Sequence, residues 1–284
     1  MRFAPSPNGE LHLGHALSAL IGFEEARACG GRFLLRIEDI DTARTRAEFV
    51  GGIFADLTWL GVAWEEPVVF QSRRTRAYRQ AAERLMAMGL LYPCFATRRM
   101  IEAAACGARD PDGAPRYPGP SQAPSADELA RRQAAGEPFA LRLRMREAMA
   151  LAAAKLAGRP LCFGELDDFG QARPVLARPE RWGDVIIVRK DVPASYHLAV
   201  VVDDAWQGVT RVGRGRDLYA ATDLHRLLQV LLDLPVPLYR HHRLLTDAMG
   251  RKLAKSARST SLASLRAEGL TPSDIRRRIG LPEA

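Results

Sequence analysis

The sequence predicts an α/β fold: a parallel-sheet domain, interrupted in its middle by a smaller α+β segment. Three observations lead there. A short apolar run at 33–37 lies between two helix-type patterns, the strand–helix alternation of βαβ units. The composition changes near residue 93, and from Cys106 to Ser125 it is dense in Gly, Pro and Ala. After Gly215 the helical periodicity returns.

Taken in order, Arg2 to Pro7 allow only a brief strand and a turn. A helix follows from about His15 to Cys29, with Leu17, Leu20, Ile21 and Phe23 for a buried face, and Gly30-Gly31 stops it. Phe33-Leu34-Leu35-Arg36-Ile37 reads as a buried strand running into the acidic turn Glu38-Asp39-Ile40-Asp41. Ligands of parallel sheets sit at the carboxyl ends of strands, so this turn is where a binding group belongs. Thr42 or Thr45 is expected to cap the next helix, which carries Phe49, Ile53, Phe54, Leu57 and Leu60; another runs from about Thr75 to Met88, ending at Gly89. Strands are expected at 139–145, 185–188 and 198–202. A long helix follows Gly215 (Leu218, Leu224, Leu227, Leu228, Val230, Leu231), ended by Pro235 and Pro237. Two short helices close the sequence, around 262–267 and 273–279. The expected organisation is a first half of the sheet domain at 1–92, an inserted subdomain at 93–194 and a second half at 195–284.

The 284 residues suffice for a sizeable core, and 47% hydrophobic with 26% charged residues is ordinary for a globular chain. Forty-one Lys and Arg against 33 Asp and Glu give a net charge of +8, compatible with a polyanionic partner or with an arginine-rich genome. Cys29, Cys94, Cys106 and Cys162 form no C-x-x-C pair, which points to a reducing cytoplasm rather than a disulfide framework. Neither an apolar leader nor a run of about 18 apolar residues is present, so no membrane span is expected.

Two motifs carry chemistry. His12-Leu13-Gly14-His15 stands just before the first helix, where unpaired N–H groups and the positive dipole end attract anions. Two imidazoles there can meet a phosphate while Gly14 admits a nucleotide to the backbone; a surface pair, or two metal ligands one turn apart, are the competing readings. Lys252-Leu253-Ala254-Lys255-Ser256 follows Met249-Gly250-Arg251 and can close over a triphosphate, each lysine acting as a point charge, or can be a solvated basic loop.

Together these segments are more specific. Arg2-Phe3-Ala4-Pro5-Ser6-Pro7-Asn8-Gly9 followed by His12-Leu13-Gly14-His15 resembles the opening of glutamyl- and glutaminyl-tRNA synthetases, and 252–256 resembles their second class I signature. Arg36-Ile37-Glu38-Asp39 and 196–204 are similar to the same enzymes, in order, across nearly the whole chain. The resemblance implies a Rossmann-like catalytic domain that uses ATP with Mg2+. His12, Gly14, His15 and Lys255, with Lys252, would hold ATP. Arg2, Phe3, Ala4, Pro5, Ser6, Glu38, Tyr196 and Arg214 would line a glutamate pocket, Glu38 taking the ammonium and the two arginines the carboxylates. Arg216 competes with Arg214, but the spacing from Tyr196 favours Arg214.

Ser256 stands only 28 residues from the end of the sequence, so we expect no anticodon-binding domain. That pattern resembles the glutamyl-queuosine tRNA(Asp) synthetase family, whose members attach glutamate to queuosine in the anticodon loop. The implied partners are tRNA(Asp) bearing queuosine, L-glutamate and ATP, with the enzyme acting as a monomer. A minimal glutamyl-tRNA synthetase charging tRNA(Glu), a small-molecule nucleotidyltransferase and a catalytically retired RNA- or protein-binding paralogue are the alternatives. One departure stands out. The family often carries zinc on C-x-C and Y-x-x-x-C; here Cys94-Phe95-Ala96 and Tyr117-Pro118-Gly119-Pro120-Ser121 keep one cysteine and the tyrosine. One thiolate and one phenol do not make a tetrahedral zinc site, so no zinc is expected.

Overall fold

The computed structural model describes residues 1–117, 119, 125–246 and 260–283. The chain begins with β1 (Arg2–Phe3), α1 (Leu13–Ala28), β2 (Leu34–Ile37), α2 (Ala47–Trp59), β3 (Glu65–Phe70) and α3 (Thr75–Ala87). The middle holds β4 (Leu91–Cys94), α4 (Arg98–Ala105), α5 (Ala126–Ala134), β5 (Ala140–Leu143), α6 (Met145–Leu156), β6 (Cys162–Leu166), β7 (Ala172–Leu176) and β8 (Ile186–Val188). Then follow α7 (Tyr196–Trp206), β9 (Arg211–Gly215), α8 (Ala221–Leu231), β10 (Leu238–His242), α9 (Leu262–Ala267) and α10 (Pro272–Arg278).

β1, β2 and β3 pair in parallel in that order. β9, β10 and β6 also pair in parallel, with β7 antiparallel at the edge. β1 lies beside β9, so across the layer the order is β3-β2-β1-β9-β10-β6-β7. The chain leaves β1 toward β2 and β3 on one side, and the later strands β6, β7, β9 and β10 fill the other. That reversal makes the β1/β9 junction a topological switch point, where the strand ends diverge and leave a crevice. β4, β5 and β8 form a separate antiparallel sheet. The segment 93–194 therefore feeds two sheets, and its β6–β7 hairpin joins the one that carries β9 and β10.

Two apolar clusters flank this layer. α1, α2, β1 and β2 pack with α9 and α10, through Leu17, Leu35, Ile53, Leu57, Leu262 and Ile275. α3, α6, α7 and α8 pack on the other sheet through Tyr78, Leu85, Leu198, Leu227 and Leu231 among others. Each fully buried side chain of this kind contributes about 1.5–3 kcal/mol.

Two local expectations are corrected. Residues 198–202 are helical, not a strand: Ser195 caps α7 through a bond from the Leu198 N–H, and the helix is buried almost all round. A continuous apolar run cannot distinguish a buried helix from a buried strand, and packing decides. Neither Thr42 nor Thr45 caps α2. Arg46 occupies the N-cap without a side-chain bond, and the Thr45 hydroxyl donates to the Asp41 carbonyl.

Adjacent acids near the end of α7 hold the two halves together. Asp203 is fully buried and accepts from the Gln71 amide (2.9 Å), Arg74 Nε (2.6 Å) and the Tyr78 hydroxyl (2.7 Å). Asp204 accepts from Arg2 Nε (3.1 Å), Arg2 Nη2 (3.3 Å) and Arg36 Nη1 (2.7 Å). Burial alone would push the Asp204 carboxyl up, but Arg2 and Arg36 outweigh it and hold it below the usual range. Removing one partner of such a group leaves buried donors unmet. Asp203→Ala should therefore lower unfolding stability by about 3–5 kcal/mol in a urea titration. Glu128→Ala, which breaks pairs of α5 with Arg131 and Arg132 at the surface, should leave the midpoint essentially unchanged.

Candidate active site

The crevice at the β1/β9 junction is a cavity of about 500 Å3. Arg2, Phe3, Ala4, Pro5 and Ser6 line it from the end of β1 and the turn beyond; His12, Gly14 and His15 from the start of α1; Glu38 from the end of β2; Tyr196 from the start of α7; and Arg214 from β9. Sequence-selected residues from five separate segments thus converge on one wall set. Lys252 and Lys255 lie outside the described residues. Arg216 is exposed in a short 3-10 turn and does not line the cavity, whereas Arg214 is buried and does.

His12 and His15 build the start of α1. His12 is the N-cap: its Nδ1 accepts from the Gly14 N–H at 3.1 Å, while His15 Nδ1 accepts from the His12 N–H at 3.2 Å. This is a capping box with imidazoles in the places of the usual hydroxyl and carboxylate. With both Nδ1 atoms accepting, each neutral ring carries its proton on Nε2. The rings lie 3.9 Å apart between centroids. Gly14 has a further reason beyond backbone access: a Cβ there would stand 2.9 Å from His12 Cε1, so a side chain would displace the capping ring.

The other wall holds ionic groups. Glu38 lies beside Arg36 (3.4 Å), and burial pushes its carboxyl up despite the opposing pull of Arg36 and Arg2. A bound ammonium would oppose that upward push and favour the carboxylate. Asp39, its neighbour in the acidic turn, instead accepts from the Ser72 N–H and hydroxyl and is structural. The two pocket arginines differ. Arg2 is matched by the Asp204 carboxylate. Arg214 is surrounded by neutral acceptors: Tyr196 Oη (3.4 Å), Thr222 Oγ1 (2.7 Å), His225 Nδ1 (3.1 Å) and His241 Nε2 (3.1 Å). A buried guanidinium with no carboxylate against it among the described residues is the natural counter-charge for an anionic ligand group.

Sequence reasoning missed Thr222, His225 and His241, and the cavity-lining Ser18 and His242, which share a 2.8 Å bond. The available signal was polar residues on the apolar face of α8, where Thr222, His225 and Gln229 are all buried, and the adjoining His241-His242 pair in a strand.

The degenerate zinc positions do come together. Cys94 and Tyr117 are buried with Tyr92. The group set against both is the Arg142 guanidinium: its Nε donates to Cys94 Sγ at 3.3 Å, its Nη1 to the Asp184 carbonyl at 2.5 Å, and its centre lies 4.2 Å from the Tyr117 ring. A cation fixed at this position repels a second, and a phenol pushed up to about 12 by burial and by Cys94 is a poor ligand. These residues do not fit zinc. Among the described residues no group of three or more His, Cys, Asp or Glu could hold a metal ion. A strong chelator should leave the thermal midpoint unchanged, whereas Arg142→Ala, which removes hydrogen bonds made by a charged group, should cost about 3 kcal/mol of stability. A midpoint that drops on chelation would contradict this account.

Comparison with known proteins agrees with the geometry. Residues 1–281 match the family model of tRNA synthetases class I (E and Q), catalytic domain. A glutamyl-Q tRNA(Asp) synthetase of Rhodobacter capsulatus is 46% identical over 287 residues, covering 99% of each chain. One from Symbiobacterium thermophilum is 41% identical, covering 96% of this chain and 83% of the relative. A glutamate–tRNA ligase of a Synechococcus strain is 35% identical over 96% of this chain but only 56% of its own length. The crystal structure of a glutamate tRNA ligase from Elizabethkingia meningosepticum in complex with its amino acid superimposes with a TM-score of 0.73 at 25% identity, covering 98% of this chain and 59% of that one. A cavity of basic, acidic and imidazole groups at the switch point of a Rossmann-like sheet, with this family match over almost every residue, places the chain among the class I tRNA synthetases of the glutamate and glutamine group, as a catalytic domain.

Proposed function

We propose that this chain is a ligase that activates L-glutamate with Mg-ATP and transfers it to the queuosine base in the anticodon loop of tRNA(Asp). The observation that carries the reading is one cavity joining two half-sites. Arg2, Glu38, Tyr196 and Arg214 suit an amino acid with two carboxylates and one ammonium, and the His12–His15 end of α1 suits a phosphate chain. The 46% identity to a glutamyl-Q tRNA(Asp) synthetase over both full lengths supports this acceptor over the 3′ end of tRNA(Glu).

In the first step an α-carboxylate oxygen of glutamate bonds to the α-phosphorus of ATP and pyrophosphate leaves, giving glutamyl-adenylate. In the second a hydroxyl of the queuosine cyclopentene ring bonds to the activated carbonyl carbon, loses its proton, and AMP leaves. Neither step needs a covalent enzyme intermediate. The protein supplies orientation and charge: Glu38 for the ammonium, Arg2 and Arg214 for the carboxylates, and the Nε2–H groups of His12 and His15 for phosphate oxygens. Lys252 and Lys255 are assigned to the phosphates on the sequence motif. The basic charge of +8 suits an RNA partner, and we assign the 93–194 segment to contact with it. ATP and tRNA as substrates support action in the cytoplasm. Among the described residues no helix is long and apolar enough to cross a membrane.

Radiolabelled glutamate, offered with ATP and Mg2+, should label tRNA(Asp) only when the tRNA carries queuosine, and the label should survive removal of the 3′ adenosine. Label on tRNA(Glu) that depends on that adenosine would make the chain a minimal glutamyl-tRNA synthetase instead. Removing one charge-stabilising donor costs about 3–4 kcal/mol. Lys255→Ala should therefore slow ATP–pyrophosphate exchange by about 10^2–10^3-fold, and near-normal exchange would remove that lysine from the mechanism.

A further inference from the structure

We propose that His225 and His241 are positioning residues that orient Arg214 as neutral hydrogen-bond acceptors, each locked in a different tautomer. The inference rests on the reading of the cavity as a glutamate site.

A guanidinium can only donate. Arg214 Nη1 lies 3.1 Å from His225 Nδ1, and Arg214 Nε lies 3.1 Å from His241 Nε2. Both ring atoms must therefore be unprotonated acceptors, and each neutral ring carries its proton on the other nitrogen. Each of those protons has an acceptor. His225 Nε2 lies 3.3 Å from His197 Nδ1, and His241 Nδ1 lies 2.8 Å from Glu165 Oε2. Thr222 completes the arrangement: its hydroxyl accepts from Arg214 Nη2 at 2.7 Å and lies 3.2 Å from His241 Nε2, whose single lone pair it can only share with Arg214 Nε. The network spans β6, α7, β9, α8 and β10. Every ring in it is held neutral in the same direction. Burial, then Arg214, pushes His225 well below the ordinary histidine range and His197 to about 4; burial lowers His241 although Glu165 opposes it.

The consequence concerns Arg214. Of its five N–H groups, Nε, both on Nη1 and one on Nη2 are taken by Tyr196, Thr222, His225 and His241. The plane of the guanidinium is fixed, and among the described residues one Nη2 proton has no partner and is left for a ligand. Tyr196 Oη, already accepting from Nη1, has its own proton to give. The cavity thus offers a substrate carboxylate one guanidinium N–H and one phenolic O–H in a preset geometry. Acidic acceptors in place of the imidazoles would neutralise Arg214, and protonated ones would turn a donor toward a donor.

The test uses amides that mimic one ring nitrogen each. Asn at 225 sets its Oδ1 near the position of Nδ1; Gln at 241 sets its Oε1 near that of Nε2. Losing one hydrogen bond to a charged group corresponds to a change of about 10- to 100-fold. His225→Leu and His241→Leu should raise KM for glutamate by that factor while kcat and KM for ATP move by less than about threefold. His225→Asn and His241→Gln should recover most of the loss, and the swapped pair, His225→Gln and His241→Asn, should not. Equal KM values for the Leu and amide variants, or a loss confined to kcat, would overturn the proposal. Imidazole nitrogen NMR on the unaltered protein gives a readout independent of variant folding. It should find neutral Nε2–H at His225 and neutral Nδ1–H at His241 at pH 7; the reverse tautomers or a charged ring would overturn it. Absence of glutamate-dependent exchange in the unaltered enzyme would instead remove the functional reading, leaving the tautomers as the separate test of this one.

Discussion

The buried acidic pair Asp203-Asp204 is the constraint on which the arrangement depends. It sits near the carboxyl end of α7 and reaches both sides of the molecule: Asp203 takes donors from α3 and the turn before it, Asp204 from β1 and β2. Satisfying these carboxylates fixes α7 against the first sheet, and the same helix begins with Tyr196 in the cavity. One element therefore sets both the register of the two halves and one wall of the site. Arg36, wholly buried beneath Glu38, is kept charged because Asp204, Glu38 and Asp203 outweigh the cost of its burial.

From that anchoring follows a division of labour between two arginines of like appearance in the sequence. Arg2 enters the cavity already matched by Asp204. Arg214 enters it held by two imidazoles, a threonine and a tyrosine, none of which carries a negative charge. The cost of keeping such a cation buried is met only in part by neutral acceptors, and we propose that a ligand carboxylate supplies the rest. The same logic recurs at Cys94 and Tyr117, where the Arg142 guanidinium links the thiol, a phenol ring and a backbone carbonyl. That cation does not line the cavity and serves packing.

Much of this was legible in the sequence wherever local chemistry decides. Gly30 and Gly89, both with positive φ, mark the ends of α1 and α3; the 33–37 run gave β2, and the closing helices fell where their apolar spacing placed them. The acidic turn after Ile37 could be placed beside the cavity because crevices in parallel sheets form at the carboxyl ends of strands. Elements decided by packing were not legible. The Val200-Val201-Val202 run satisfies strand propensity, yet folds as helix because its ends are capped and its acids must meet Arg2 and Arg36. The β6–β7 hairpin carries too little alternation to announce itself. His225 and His241 lie far from any motif, and only the fold brings them to Arg214. Polar residues recurring on the buried face of α8 and the His241-His242 pair in β10 were the marks they left.

The central claim is that Arg214 presents an unmatched positive charge to the side of the pocket that receives the substrate. Titration calorimetry of the unaltered protein with L-glutamate and with L-glutamine, which differ in one ionised group, addresses it directly. The account predicts binding of glutamate tighter by more than about 100-fold, because a site built for a charged partner is left with a buried unpaired group by the amide. Equal affinities would mean that Arg214 does not meet the side-chain carboxylate of the substrate, and the electrostatic reading of the cavity would fall.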